Sequence, residues 1–319
     1  MTSTPHLRRA IGFRDLLLFY VSTSLSLRWM ATAAAAGPSA LVVWVIAGLT
    51  LFVPLVFTVL ELSSRYPTEG GMYVWAREAF GPFAGFITGW TYWASNLPYY
   101  PGLLYFAAGN ILFAGPASWQ QYSTSSSYFM VFSLVGLAFA VTVNVRGVNL
   151  GKWLSNLGGL ALWVPAMVLI ALGVVSWWRF GSATPMPLQA FTPGVALKDV
   201  IFWSTVAFAF SGVESASTMA EEIENPTRTI PRALLVAGVG ITACYLLGTF
   251  SILLAIPHEQ ISGLAGIMQA LQAMTAKVGA GALVPVLAVL VSFSAIGGVG
   301  SWFAATARIP FAAGLDHFL

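Results

Sequence analysis

Charge is what this sequence has least of. Only 8% of its 319 residues are Asp, Glu, Lys or Arg, against about 25% in an ordinary soluble domain. A water-facing surface over most of the chain is thereby excluded. The single cysteine, Cys244, excludes a disulfide framework and a thiolate cluster. The three histidines, His6, His258 and His317, are too scattered to ligate a metal together. No HExxH, Walker A, GxSxG, GxGxxG or CxxC pattern occurs, so the chain is not read as an enzyme, and no cofactor or metal is expected. The formal charge of +3 asks for no nucleic-acid partner.

What the chain does have is hydrophobic residues, at 58%. A membrane span needs about 20 mostly apolar residues. Eight segments meet that measure: 13–36, 39–63, 83–113, 128–146, 149–178, 198–222, 232–256 and 281–310. The basic start could open a signal peptide, but the first apolar segment outruns any h-region and is read as a retained span. Alternating the spans puts Arg8, Arg9, Arg14, Arg65, Arg77, Arg146, Lys152, Arg228, Arg232 and Arg308 on one side. Arg179, Lys198 and Lys277 fall on the other. This asymmetry predicts a multi-pass protein of the cell membrane with its N-terminus cytoplasmic.

Two spans carry polar residues at depth. In the sixth, Ser211-Gly212-Val213-Glu214-Ser215 interrupts an aromatic, oily run. A carboxylate there costs about 2.5–3.5 kcal/mol on insertion scales, so its default reading is functional. Gly212 lets the backbone leave helical geometry. Helices broken near the midplane are how many secondary transporters build a binding site. Glu214 senses protons or balances substrate charge in one reading, and locks the break by bonding nearby backbone in the other. The first span holds Ser22, Thr23, Ser24, Leu25 and Ser26, then Arg28. Hydroxyls bend helices by bonding carbonyls one turn back, so a break near residues 22–26 is expected. Arg28 lies about 20 Å along that helix at 1.5 Å per residue. It is either an anion-binding or gating arginine that faces the cavity, or a structural ion pair or snorkelling side chain.

Other features read more simply. Gly81, Gly85 and Gly89 give a smooth packing face. Glu61 and Arg65 stand at i,i+4 and are expected to pair. Asn96, Pro98, Tyr99, Tyr100 and Pro101 interrupt the third span. They either line a cavity or, the favoured reading, anchor the helix at the interface. Residues 257–280 have a weak amphipathic pattern and are expected to lie on the membrane.

Several stretches together resemble one family. Ala209-Phe210-Ser211-Gly212-Val213-Glu214-Ser215-Ala216, with Glu222, Asn225-Pro226 and Ile230-Pro231-Arg232-Ala233, is similar to the sixth-helix signature of the amino acid–polyamine–organocation permeases. Tyr66-Pro67, Gly70-Gly71, Tyr73, Ala79-Phe80-Gly81-Pro82 and Gly89-Trp90 resemble their loop between the second and third helices. Asn144, Arg146, Gly147 and Val148 resemble the start of their fifth helix, and Ala307-Arg308-Ile309-Pro310 with Asp316 the end of their eighth. The resemblance implies an all-α, LeuT-like inverted-repeat fold in one membrane domain, 1–319, with helices one and six broken. Residues 13–178 would be the first five-helix repeat and 198–319 an incomplete second repeat of three helices. It implies a secondary transporter of amino acids, amines or polyamines, working by alternating access in a lipid bilayer and coupled to a proton or a counter-substrate.

The same resemblance assigns residues. Substrate would meet Ser22, Thr23, Ser24, Leu25, Ser26, Phe208, Phe210, Ser211, Gly212 and Ser215, with Glu214, and Arg28 on its depth in the first span, in gating or proton coupling. Phe208 matches the aromatic that closes over substrate in some members. The sequence departs from the family where Leu25 stands for a glycine, and where Trp163 stands for a lysine that replaces sodium in some members. Eight helices stand where the family has twelve, so the chain reads as truncated after the eighth. Such a chain is expected to insert but not to complete a transport cycle alone, because lipid cannot satisfy unwound backbone. The rival readings are a membrane sensor or assembly subunit with the same fold, an inactive fragment, or a channel.

Overall fold

A computed structural model describes residues 9–316. His6, Arg8 and His317 lie outside the described residues. The described chain is nearly all helix. In order, the helices are α1 (Phe13–Ser24), α2 (Leu27–Ala34), α3 (Ser39–Arg65), α4 (Met72–Phe80), α5 (Pro82–Asn96) and α6 (Tyr99–Ile111). Then come α7 (Ser126–Val145), α8 (Val148–Phe180), α9 (Leu197–Phe208), α10 (Pro226–Ala255), α11 (Gly266–Lys277) and α12 (Val284–Leu315). A 3-10 segment, Ser215–Glu222, follows α9.

Of these helices, α3, α7, α8, α10 and α12 are long and apolar enough to cross a membrane. The other three predicted spans are helices in two pieces. The first breaks at Leu25 and Ser26, which are extended (φ −108 and −138). The third breaks between Asn96 and Tyr99. The sixth ends as an α-helix at Phe208, earlier than the Ser211–Ser215 interruption, and resumes as the 3-10 segment rather than as α-helix.

Punctuation follows residue chemistry. Gly12 N–H donates to the Asp15 carboxylate at 3.1 Å, which caps α1. Ser125 caps α7 by accepting the Tyr128 N–H at 3.3 Å. Proline opens α5, where a missing N–H costs nothing. The centre of the bundle is set by α8 against α12. There Gly158 and Gly297 lie back to back, and a Cβ on Gly158 would come within 2.7 Å of the Gly297 Cα. Small residues allow that approach.

Of the predicted glycine face, Gly85 packs on Arg77 and Gly89 on Ile309 and Tyr73, whereas Gly81, at φ +91 between α4 and α5, has nothing within 4 Å of where a Cβ would lie. Two expectations need correction. Glu61 and Arg65 form no ion pair among the described residues; the Arg65 guanidinium sits 5.8 Å from the Tyr66 ring centre instead. Helix α11 does not lie on the membrane. Gly266, Ile267, Met268, Ala270, Leu271 and Met274 are buried against neighbouring helices, because its apolar stripe is matched by protein.

One end of the bundle, here the N-terminal face, gathers the chain start, the 66–71 loop and the end of the 3-10 segment. Ile11 and Ile223 form a parallel bridge there. Glu224 N–H donates to the Ile11 carbonyl at 2.9 Å.

Candidate functional site

The breaks in the first and sixth spans meet. Gly212 has φ +105, and a Cβ there would lie 2.8 Å from the Thr23 carbonyl oxygen. Only glycine takes that conformation freely and leaves room for that approach. Ser215 Oγ donates to Thr23 Oγ1 at 3.2 Å across the same contact.

Unwound backbone in an apolar bundle must find partners. Three side chains supply them. The Tyr245 hydroxyl, from α10, lies 2.9 Å from the Ser24 carbonyl and 3.0 Å from the Ala209 carbonyl, and it accepts the Ser26 N–H at 3.1 Å. One phenol therefore ties both breaks together. Trp302 Nε1, from α12, donates to the Thr23 carbonyl at 3.0 Å. Glu214 accepts the Gly212 N–H on Oε2 at 2.9 Å and the Tyr92 hydroxyl on Oε1 at 2.9 Å. Both carboxylate oxygens are thus engaged, one by the break itself and one by α5.

Beside this junction lies a cavity of about 200 Å³. Thr23, Ser24, Ser26, Phe208, Ser211 and Glu214, all anticipated from sequence, line it. Phe208 is 53% exposed and meets Trp29 and Tyr99 edge-on, with ring centres 5.9 and 6.4 Å apart. Tyr99 in turn meets Trp302 at 5.6 Å. An aromatic wall of two helices and two broken segments results.

Apart from Arg28, the remaining anticipated residues stand behind the wall. Ser22 Oγ donates to the Ser155 carbonyl at 3.0 Å and faces α8. Leu25 is buried in the core. Phe210 is wholly buried among Trp44, Phe52 and Tyr245. Gly212 and Ser215 shape the junction rather than the surface of the cavity. Arg28 is half-buried, with its guanidinium carbon 5.0 Å from the Trp29 ring centre. It has no carboxylate within ion-pair distance among the described residues. The indole of Trp163 packs on Gly240 of α10 and is not among the residues lining the cavity.

Interface anchoring was the favoured sequence reading of Asn96 and Tyr99, yet both line the cavity. The third span kinks next to the breaks, which turns those side chains inward. Tyr92, Tyr245, Trp29 and Trp302 were not picked out from sequence. A tyrosine or tryptophan deep in an apolar run carries a polar tip that needs a partner when buried, and that signal was available at Tyr245 and Trp302.

An apolar helical bundle in which two interrupted helices meet beside a cavity of aromatic rings, hydroxyls and one carboxylate is how many secondary transporters build a site. The chain belongs to the amino acid permease family: the family model described as "Amino acid permease" matches residues 11–319. It is 30% identical over 308 residues to an uncharacterized transporter of Legionella pneumophila, covering 93% of this chain and 64% of that protein. It is 27% identical over 272 residues to a probable agmatine/putrescine antiporter of Lactococcus lactis, covering 85% and 57%. It is 24% identical over 276 residues to a glutamate/gamma-aminobutyrate antiporter of Lactococcus lactis, covering 83% and 54%. The chain thus spans somewhat less than two thirds of the length of these relatives.

Proposed function

We propose that this chain carries the substrate-binding core of a secondary transporter for an amino acid or a related amine, working by alternating access. The observation that carries the reading is the junction of the two broken helices at the 200 Å³ cavity. The first N–H groups of α2, after Ser26, have no intrahelical acceptor. With the helix dipole they favour a carboxylate. The carbonyl of Ser211, which lines the cavity, accepts no backbone bond among the described residues and suits an ammonium. The aromatic wall of Phe208, Trp29 and Tyr99 covers an aliphatic portion. Relatives named for agmatine and putrescine or for glutamate and gamma-aminobutyrate support small amino compounds as the class.

Glu214 acts as lock and proton sensor in this scheme. A proton on Oε2 sets an O–H against the Gly212 N–H and weakens that tie to the break, whereas a proton on Oε1 is met by the Tyr92 hydroxyl turning from donor to acceptor. Arg28, packed on the Trp29 ring that lines the cavity, is the counter-charge for an acidic substrate. The N-terminal face is the cytoplasmic one, on the distribution of lysine and arginine. Substrate exchange balances a counter-substrate or a proton.

Counterflow in proteoliposomes tests this. Labelled amino acid or amine should enter only when unlabelled substrate is inside, and should saturate. Specific binding without exchange would favour a sensor. A steep voltage-driven current without saturation would favour a channel.

A further inference from the structure

Away from the central cavity, the N-terminal face holds a second cluster of buried charge. Glu69 comes from the 66–71 loop, Glu222 from the end of the 3-10 segment and Arg308 from α12. The two carboxylates are 7% and 3% exposed. Arg308 Nη2 donates to Glu222 Oε1 at 2.7 Å, and Arg308 Nε lies 3.8 Å from Glu69 Oε1. Two carboxylates therefore face one guanidinium, and the closer one already holds it. Glu69 Oε2 accepts the Glu221 N–H at 3.4 Å. Glu69 Oε1 and Glu222 Oε2 accept no hydrogen bond among the described residues. The Glu221 carboxylate adds further negative charge on the same segment. Beyond Arg308, Asp15 and Lys152 form their own pair at 3.1 Å, so their charges cancel locally.

The loop that carries Glu69 is seated on unwound backbone. Gly70 N–H donates to the Thr218 carbonyl at 3.1 Å. Gly71, at φ +48, lies so close to the 3-10 segment that a Cβ would come within 3.0 Å of the Thr218 nitrogen. One turn earlier, Ser217 Oγ donates to the Glu214 carbonyl at 2.6 Å. The loop is therefore joined through one short rigid segment to the junction at the cavity.

We propose that Glu69 is a proton-binding site: with its proton on, it latches the 66–71 loop onto the 3-10 segment, and loss of the proton releases the loop. An ionised Glu69 would be a buried charge without a full partner, whereas a neutral one removes that charge and brings an O–H donor to a cluster in which Glu222 Oε2 lacks one. Burial, then the charge on Glu222, pushes the Glu69 carboxyl up to about 8, with Arg308 pulling the other way. In a released loop it returns to an ordinary carboxylate, near 4.5. The sign follows by linkage. Below the ordinary value both forms hold the proton and latching is insensitive to pH. As pH rises from there, the released form loses its proton first and latching weakens, by up to tenfold per pH unit. Near pH 8 the latched form also ionises and the dependence levels off. The consequence, that a proton on this face biases the carrier toward closure there, rests on the transporter reading; the latch itself does not.

Hydrogen exchange of the full chain in lipid nanodiscs, followed by mass spectrometry, tests the latch without any substrate. After correction for intrinsic amide rates, protection of the peptide spanning 66–73 should fall steeply between about pH 5.5 and 8 and then flatten. Glu69→Gln keeps the shape and cannot ionise, so its protection should be high and independent of pH. Glu222→Gln removes the nearest like charge, so levelling should come at a lower pH. A parent profile already flat, or an equal slope in Glu69→Gln, would overturn the proposal. If Glu69→Gln fails to fold, an unmoved levelling point in Glu222→Gln would overturn it instead. Loss of counterflow with the exchange profile intact would count against the transporter reading alone.

Discussion

Tyr245→Phe is the change that isolates the tie between the two breaks. It deletes one oxygen and keeps the ring, which stacks on Trp44 with centres 4.3 Å apart. The lost hydroxyl accepts the Ser26 N–H and donates toward the Ser24 and Ala209 carbonyls. At least one buried donor and one buried acceptor are then left bare. Each such group costs about 1–3 kcal/mol. Because Tyr245 borders the cavity, water recovers part of this, and a net loss of about 2–4 kcal/mol is expected. Tyr20→Phe is the control. Tyr20 is as fully buried, but its hydroxyl has no hydrogen-bond partner among the described residues. Removing it should be neutral or stabilising. Unfolding of both variants by titration with a denaturing detergent gives the comparison. Equal losses in the two would refute the reasoning, since ring burial rather than backbone satisfaction would then explain both.

Gly212→Ala forces a side chain to φ +105 against the Thr23 carbonyl. It should cost about 1–3 kcal/mol of strain and abolish substrate binding, read by scintillation proximity. Glu214→Gln should fold and should alter the pH dependence of transport, since it keeps the shape but cannot change charge; an unchanged profile in flux assays would remove the sensing role. Gly158→Val should separate α8 from α12 and destabilise by about 1–3 kcal/mol through overpacking, measured by the same detergent titration. Arg28→Ala should weaken acidic substrates more than basic ones in competition binding, and equal effects on both would remove its counter-charge role.

Much of the architecture was legible because it depends on composition and local chemistry. Runs of about 20 apolar residues mark spans whatever they pack against. The hydroxyl cluster at 22–26 and the glycine beside Glu214 mark breaks because they change what the backbone can do locally. What could not be read was which distant groups would meet the freed backbone. Tyr245 lies more than 200 residues from Ser24 in sequence, and nothing in its own apolar run announces that pairing. The same holds for Trp302 and Thr23. Helix α11 shows the converse. Its weak amphipathic stripe fits a membrane surface or a protein groove equally, and only the neighbouring helices decide. Arg28 was expected at depth with a partner. Its guanidinium rests on the Trp29 ring, a contact that a count along the helix cannot reveal.

On the proposed reading, the two breaks together make one substrate site. Equilibrium binding of a panel of labelled amino acids and polyamines to the purified chain in nanodiscs tests it most directly, with Gly212→Ala and Tyr20→Phe measured beside the parent. Saturable binding of at least one small amino compound is expected, kept in Tyr20→Phe and lost in Gly212→Ala. Binding that survives in a folded Gly212→Ala would contradict it, because the ligand would then sit somewhere other than the junction of the broken helices.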